Sequence, residues 1–254
     1  MTPGYVKRRP DAPQGFFAIE AVGLHWLAAP AANGGCSVAD VLDVGPDHIE
    51  LQRIEEVPAT RSAAEAFGRA LAVTHGAGAA AFGVSPDGWI GSGFIGNQPL
   101  AMGRYSAWGS FYAELRLLPY ARAARDRGTL SSAGSAAVEG VCRRLADGDF
   151  DDDRPPARIH GDLWAGNVLY GRTGVVLIDP AAHGGHGQTD LAMLQLFGLA
   201  HLDRAVAAYV EAAGLPADWA SRTGLHQLHP LLVHAVSHGA SYGNAAERAA
   251  ARYC

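Results

Sequence analysis

The chain has 254 residues, of which 48% are hydrophobic and 18% charged, and its formal net charge is -5. This composition supports a folded core, and the acidic balance argues against a nucleic-acid-binding protein, which usually presents a basic patch. Three widely separated cysteines, no apolar leader between Met1 and Pro10 and no apolar stretch of bilayer length predict a reduced, cytoplasmic protein that does not enter membranes.

The beginning of the chain has the pattern of a small mixed lobe. Its predicted elements, in chain order, are a strand over 4–8, a helix over 15–29 and a hairpin formed by 38–44 and 48–54. The helix follows from the spacing of Phe17, Ala21 and Leu24, which places apolar side chains on one face. The hairpin follows from Gly45-Pro46-Asp47 between two runs of branched residues. Residues 1–55 are therefore predicted to form a small mixed N-terminal lobe, to which the family resemblance described below assigns nucleotide binding.

The remainder, residues 56–254, has a composition rich in alanine, leucine and arginine, which favours helices. Its predicted helices are 61–75, 107–127, 132–147 and 189–253, the last broken near Gly214-Leu215-Pro216. The glycine-rich stretch 76–105 predicts irregular loop, and residues 158–180 predict strand and turn. We therefore expect an α+β fold of two lobes, joined by a short hinge near residues 52–58.

The most informative segment is a hairpin with polar residues at its open end. Two apolar runs flank the turn Gly171-Arg172-Thr173-Gly174. Folding this hairpin about Thr173 places Asn167 opposite Asp179, because each lies six positions away. An amide and a carboxylate oxygen together are ligands of the kind that hold Mg²⁺ beside nucleotide phosphates. Asp162, on the entering loop, is a candidate base for the proton of an attacking hydroxyl.

These residues resemble a known catalytic loop. The matching stretches are His160-Gly161-Asp162-Leu163-Trp164-x-Gly166-Asn167, then Leu177-Ile178-Asp179-Pro180-Ala181, then Asp190-Leu191-Ala192-Met193 with Leu196-Phe197-Gly198. Together they are similar to the fructosamine kinase family, whereas the shorter His-x-Asp-x-x-x-x-Asn spacing also fits aminoglycoside and choline kinases. The resemblance implies a bilobal protein-kinase-like fold, ATP and Mg²⁺ as cofactors, and phosphorylation of a glycated amine, the step that leads to protein deglycation.

The resemblance also implies roles for residues around the loop. Trp164 and His160 would contact the acceptor, since an aromatic face can stack on a sugar, although a tryptophan in the core is the alternative for Trp164. Asp190 would support the loop from below, although its type also suits a helix N-cap.

A second set of residues concerns the nucleotide. Lys7 is the only lysine among 20 basic residues, and Glu20 falls on an otherwise apolar helix face, where a carboxylate needs a partner. The resemblance implies that Lys7 pairs with Glu20 and contacts the phosphates, and that the backbone near Gln52 and Ile54 holds the adenine. A solvated lysine near a chain terminus is the alternative.

The sequence departs from the family's pattern ahead of the lysine. There the family has two strands and a glycine-containing loop that have no counterpart in residues 1–6. Three interpretations stay open: a start further upstream, a short kinase that holds ATP through Lys7 and Mg²⁺, or a nucleotide-binding pseudokinase that regulates a partner. A further alternative is an aminoglycoside- or choline-type kinase, for which Asp151-Asp152-Asp153 would supply an acidic pocket.

Overall fold

The computed structural model describes residues 4–254, and within that range no helix is both long and apolar enough to cross a membrane. The strands of this range are β1 (Tyr5–Arg8), β2 (Ser37–Val38), β3 (Val41–Val44), β4 (His48–Leu51), β5 (Gly93–Ile95), β6 (Gln98–Leu100), β7 (Ala157–Ile159), β8 (Val168–Gly171), β9 (Gly174–Leu177) and β10 (His183–Gly185). The α-helices of this range are α1 (Phe16–Ala28), α2 (Arg61–Gly76), α3 (Trp108–Phe111), α4 (Leu118–Asp126), α5 (Ser132–Ala146), α6 (Gly187–Phe197), α7 (Leu202–Ala213), α8 (Thr223–His226), α9 (Leu228–His238) and α10 (Ala240–Ala250).

An antiparallel sheet of order β1-β4-β3 forms the N-terminal part of the fold, and α1 packs on it. In this sheet Lys7 of β1 pairs with Ile49 of β4, and the pairing fixes the position of the lysine along the strand. Ile49 and Leu24 are fully buried between the sheet and α1. The predicted strand over 4–8 and helix over 15–29 are therefore confirmed, with ends that differ by at most one residue.

The predicted hairpin over 38–54 is correct only for β3 and β4. β2 leaves it and pairs in parallel with β9, and the Ala39 N–H donates to the Leu177 carbonyl at 3.0 Å. The reason is packing, since Val38 contacts apolar side chains of three neighbouring cores. This pairing joins residues 37–38 to the hairpin formed by β8 and β9. The predicted lobe boundary at 55/56 stays a prediction.

Most of the apolar core lies among the helices that follow. A π-helical segment, Tyr112–Leu117, joins α3 to α4, and its Leu117 is buried with Val138 of α5 and Leu232 of α9. A second core lies between α2 and α7, which approach so closely that a Cβ on Gly68 would lie 2.0 Å from the carbonyl oxygen of Ala205. The helices predicted over 61–75, 107–127 and 132–147 are confirmed as to type and position.

The prediction of irregular loop over 76–105 is wrong for its second half. Residues 93–100 form the antiparallel hairpin β5–β6, whose two-residue turn is Gly96-Asn97. Ile95 and Leu100 are buried in the helical core, and their burial stabilises this short ribbon. The hairpin closes one side of the cleft described below.

Candidate active site

The hairpin β8–β9 presents Asn167 and Asp179 at its open end, but not directly opposite each other. Gly171 pairs with Gly174, so Asn167 faces Ile178, and the predicted register is wrong by one residue. The Ile178 N–H donates to the Asn167 carbonyl at 3.2 Å, and Asn167 Nδ2 lies 3.4 Å from the carbonyl oxygen of Asp179. The two residues still meet, because Asp179 directly follows the residue that Asn167 faces.

Asp179 and Asn167 both turn an oxygen toward the cleft. Asp179 has a φ of 55°, a left-handed conformation that aspartate tolerates better than most residues, and its side chain is 40% exposed. Asn167 is buried, and its Nδ2 donates to the main-chain oxygen of Asp162 at 2.8 Å. The Asn167 Oδ1 accepts no hydrogen bond from residues 4–254, so it is free to bind a ligand.

Asp162 lies at the entrance of this hairpin, and its Oδ2 is 3.5 Å from Asn167 Nδ2. Burial raises the pKa of Asp162 to about 7, and the negative charges of Asp179 and Asp190 raise it in the same direction. A carboxylate with a pKa near neutrality is well suited to accept a proton from a hydroxyl at physiological pH.

Asp190 fixes the loop that carries this carboxylate. It is 1% exposed and accepts hydrogen bonds from the backbone N–H groups of His160 at 2.7 Å and Gly161 at 2.9 Å. His75 Nε2 lies 3.0 Å from the same carboxylate. Burial alone would raise the pKa of Asp190, but the hydrogen bond and charge of His75 outweigh it and lower the pKa. Asp190 lies in the first turn of α6, whose N-cap is His186, so the N-cap interpretation is wrong.

The conformation of the loop explains why position 160 is a histidine and position 161 a glycine. Gly161 has a φ of 81°, and a Cβ there would lie 2.3 Å from the carbonyl oxygen of Ala181, so no larger residue fits. His160 is 1% exposed, accepts from the Asp162 N–H through Nδ1 at 3.3 Å and donates through Nε2 to the Ile178 carbonyl at 2.9 Å. Its ring is therefore neutral and turned inward, and burial lowers its pKa. Both ring nitrogens of His160 are bonded within the loop, and the predicted contact of His160 with the acceptor stays a prediction.

Lys7 and Glu20 meet as predicted, and Asp179 joins them. The Lys7 ammonium donates to Glu20 at 2.5 Å and also to the Asp179 carboxylate. Burial would lower the pKa of Lys7, but its attraction to the two carboxylates outweighs burial, so the pKa is raised. Burial raises the pKa of Glu20 to about 7, since one ammonium shared with Asp179 does not offset it. A single lysine thus links the N-terminal sheet, α1 and the catalytic hairpin.

Two adjoining cavities meet at the catalytic loop. The first, of about 390 Å³, has the side chains of Lys7, Glu20, Asn167 and Asp179 in its wall. The second, of about 660 Å³, lies between β5–β6 and helices α9 and α10. Asp162 and Trp164 line both cavities, so the candidate base stands where they join.

Trp164 is exposed rather than part of the core. Its side of the loop is open, 43% of the residue is accessible, and its ring lies against Gly166, where a Cβ would come within 2.4 Å of it. The glycine therefore lets the indole pack closely against the loop, and Trp164 lines both cavities. This position is compatible with the predicted contact to an acceptor.

Gln52 and Ile54 do not reach the cavity that contains Lys7. They line a separate depression of about 340 Å³ together with Arg172. The Gln52 N–H donates to the Asp40 carbonyl at 2.8 Å, so this backbone donor is already engaged. The chain turns away here because Val57 pairs with the end of β8, through its N–H to the Tyr170 carbonyl at 2.7 Å. The predicted adenine contact at these two residues stays a prediction.

Two parts of the site were missed from the sequence. Phe94 and Gly96 line the first cavity from the β5–β6 hairpin, and the pair Gly96-Asn97 between apolar residues is a hairpin signal that could have indicated it. His75, which holds Asp190, had no such signal, because its partners Asp190 and Tyr209 are 115 and 134 positions away.

A lysine–glutamate pair beside a loop with two aspartates and an asparagine is the arrangement found in phosphotransferases of the protein-kinase-like class. The sequence model of the fructosamine kinase family matches residues 2–254. A Thermus thermophilus protein named Probable ketoamine kinase TTHA1179 is 33% identical over 244 residues, which cover 96% of this chain and 85% of that protein. The chain belongs to the fructosamine kinase family.

Solved structures agree with this assignment. A fructosamine-3-kinase candidate from Thermobifida fusca YX-ER1 superposes with a TM-score of 0.89 at 47% identity, over 99% of this chain and 86% of that chain. A thermostable mutant of the aminoglycoside phosphotransferase APH(4)-Ia has a TM-score of 0.58 at 20% identity, over 95% of this chain and 84% of that chain, which shows a shared fold. The predicted family, the bilobal kinase-like α+β fold and the kinase class are confirmed.

Proposed function

We propose that the protein transfers the γ-phosphoryl group of ATP to a hydroxyl of a ketoamine, the adduct of a sugar with an amine. The observation that carries this proposal is that Lys7, Asp162, Asn167 and Asp179 converge on connected cavities in a chain of the fructosamine kinase family. Its relatives include probable ketoamine kinases, and phosphorylation of a ketoamine destabilises the sugar–amine adduct, which would give the chain a role in deglycation.

The nucleotide would occupy the first cavity, with its phosphates toward Lys7. Support comes from the fold, because a variant of APH(4)-Ia was solved with ADP and hygromycin B. The Lys7 ammonium is the only lysine group in the chain, and it lies in the wall of this cavity beside Asp179. We infer that Lys7 exchanges part of its interaction with Asp179 for the phosphates when nucleotide binds.

The residues present fit a Mg²⁺ ion. The free Oδ1 of Asn167 and the partly exposed carboxylate of Asp179 are hard oxygen ligands on one side of the cavity. No group of three or more histidine, cysteine or acidic side chains in residues 4–254 could hold a metal ion by itself. Two protein ligands suit Mg²⁺, which keeps waters and phosphate oxygens as its other ligands, and the bound ion would neutralise phosphate charge.

The protein's own contribution to the chemistry would centre on Asp162. Its carboxylate would take the proton of the acceptor hydroxyl as that oxygen attacks, and Asn167 would hold the loop through its bond to the Asp162 main-chain oxygen. Trp164, at the junction of the two cavities, would stack on the sugar and exclude water from it. Asp190 and His160 would act indirectly, as positioning residues for the loop.

The second cavity favours a neutral sugar over a polycationic acceptor. Asp162 is the only acidic side chain in its wall, and Arg127 adds a positive charge there. The acidic run 151–153, which the aminoglycoside or choline alternative would use as an acidic pocket, lines a different cavity. Within that run, Asp152 is paired with Arg222 at 3.3 Å and with His186 at 3.2 Å. An aminoglycoside or choline would therefore find no acidic pocket beside the base.

Competing acceptors test the proposal. ADP formation should be measured with ATP, Mg²⁺ and, in parallel, fructoselysine, an aminoglycoside and choline at equal concentration. We expect fructoselysine to give the highest kcat/KM by at least about tenfold, because an aminoglycoside carries several ammonium groups for which the wall offers a single carboxylate, and choline has no sugar ring to lie against Trp164. A preference for either cationic acceptor would overturn the substrate assignment. ATP binding without turnover of any acceptor would favour the pseudokinase alternative.

A further inference from the structure

The second cavity has more room than a sugar needs. Its volume is about 660 Å³. The sugar part of a ketoamine has about eleven non-hydrogen atoms, which take roughly 330 Å³ even if each takes the volume of a water molecule in the liquid. Asp162 and Trp164 stand where this cavity meets the first, so the sugar would occupy that end. The rest of the space is left for the amine part of the acceptor.

One cationic side chain belongs to this remaining space. Among residues 4–254, Arg127 is the only lysine or arginine in the wall of the second cavity, and it does not line the first. Its backbone is fixed as the C-cap of α4, where its N–H donates to the Ala123 carbonyl at 3.2 Å. Its guanidinium donates to the Val236 carbonyl, in the last turn of α9, at 2.9 Å. The side chain is therefore held against the helix that forms this part of the wall.

The Arg127 guanidinium retains most of its hydrogen-bonding capacity. In the described part of the chain, the Val236 carbonyl is its only side-chain hydrogen-bond partner, and no carboxylate lies within salt-bridge distance. A guanidinium has further N–H donors on its other nitrogens, and it binds a carboxylate through parallel hydrogen bonds. Arg127 can therefore take an anionic group of the acceptor as its partner.

Aromatic rings of α9 and α10 line the same part of the cavity. His234 donates through Nδ1 to the Pro230 carbonyl at 2.8 Å, and burial lowers its pKa, so its ring is neutral near pH 7. Its ring centroid lies 5.0 Å from that of His238, 5.0 Å from that of Tyr242 and 4.6 Å from that of Phe197. These rings offer an apolar surface for a carbon chain, and they leave the binding of an anionic end to the arginine.

We propose that Arg127 determines specificity by selecting ketoamines whose amine part carries a free carboxylate. The inference rests on the proposed function, because it places the sugar beside Asp162 and the amine part toward Arg127. Ketoamines of free amino acids carry such a carboxylate. A glycated lysine within a protein does not, since its carboxyl group is part of a peptide bond. The cavity therefore favours small, free ketoamines over glycated proteins.

Two pairs of acceptors that differ in this carboxylate test the inference. The first pair is the fructosamines of 6-aminohexanoate and 6-aminohexanamide, and the second is those of glycine and glycinamide. The first pair places the carboxylate as far from the amine as in free lysine, and the second places it one carbon away. ADP formation with ATP and Mg²⁺ gives kcat and KM for each acceptor, and isothermal titration gives its dissociation constant.

We expect the carboxylate of at least one pair to have a kcat/KM at least about fivefold higher than its amide. The difference should lie in KM, because a contact remote from the reacting atoms stabilises the bound acceptor and the transition state alike. Arg127→Gln should bring the KM values of carboxylate and amide together. Arg125→Gln is the matched control, because it removes the same charge from the last turn of the same helix and does not alter the cavity wall. That variant should keep the preference.

Three results would overturn the inference: equal kcat/KM for carboxylate and amide in both pairs, a preference that persists in Arg127→Gln, or an equal loss of preference in Arg125→Gln. Failure of the proposed function looks different, because no ketoamine would then be phosphorylated. In that case the dissociation constants decide: tighter binding of a carboxylate that depends on Arg127 supports the selection, and equal binding of carboxylate and amide overturns it.

Discussion

Replacing Asp190 by asparagine removes a single charge from beneath the catalytic loop. The carboxylate accepts three hydrogen bonds, from the N–H groups of His160 and Gly161 and from His75, at 2.7, 2.9 and 3.0 Å. Asparagine has the same shape but only one acceptor oxygen, and its amide donor would face groups that are donors themselves. The substitution therefore tests how much the loop depends on a buried negative charge.

The expected cost follows from these contacts. At least one buried backbone N–H of the pair on His160 and Gly161 would lose its acceptor, which costs about 1–3 kcal/mol. The remaining bonds change from charge-assisted to neutral, for a further loss of about 1 kcal/mol. We therefore expect Asp190→Asn to lower the free energy of unfolding by about 2–4 kcal/mol, a large part of the stability of a typical domain.

Urea unfolding followed by tryptophan fluorescence measures this change. The control is Asp203→Asn, because Asp203 also lies in the first turn of a helix but its side chain is 80% exposed. That variant should change the free energy of unfolding by less than about 0.5 kcal/mol. Equal effects of the two substitutions, or a change at Asp190 below about 1 kcal/mol, would refute the view that this carboxylate holds the loop.

Three further predictions concern the base, the lysine and the helix packing. Because the pKa of Asp162 is raised to about 7 and its ionised form is the base, kcat/KM should increase as the pH rises through about 7 and should be low at more acidic pH. A flat pH profile from pH 5 to 9 would contradict this role. Lys7→Met should weaken both ATP binding and turnover by at least about tenfold, because the chain's only lysine would no longer reach the phosphates. Titration with ATP and rate measurements check this. Unchanged ATP affinity would exclude that contact. Gly68→Ala should lower the free energy of unfolding in urea by about 1–3 kcal/mol or more, because its Cβ would lie 2.0 Å from the Ala205 carbonyl oxygen. Gly76→Ala is the control on the same helix, since its Cβ would meet nothing within 4 Å, and it should be neutral or slightly stabilising. Equal effects would disprove the close approach of α2 and α7.

The sequence predicted best those features that local pattern determines. The turn between β8 and β9, the polar residues at its open end and the helices with clear apolar periodicity were all correctly located. The predicted register between β8 and β9 was wrong by one residue because a two-residue turn and a turn centred on Thr173 have the same sequence pattern. The β5–β6 hairpin was not predicted, although Gly96-Asn97 is a turn signal typical of hairpins. The surrounding glycines instead indicated an irregular loop.

Long-range packing decided what the sequence did not predict. Nothing near His75 in the chain indicates that it lies between Tyr209 and Asp190, and nothing near Ser37–Val38 indicates a parallel partner in β9. The inward turn of His160 depends on a carbonyl that lies 18 positions later. Such contacts come from the assembled fold and have no periodicity to detect.

The most direct test of the proposed function compares the wild type with Asp162→Asn, using fructoselysine, ATP and Mg²⁺. Asparagine preserves the shape of the side chain but does not accept a proton. We expect the wild type to release ADP in proportion to fructoselysine consumed and the variant to lose at least about 100-fold in kcat, with ATP affinity retained. A variant that turns over at the wild-type rate would contradict the role of Asp162 as base. A wild type that binds ATP yet never phosphorylates fructoselysine would contradict the proposed substrate.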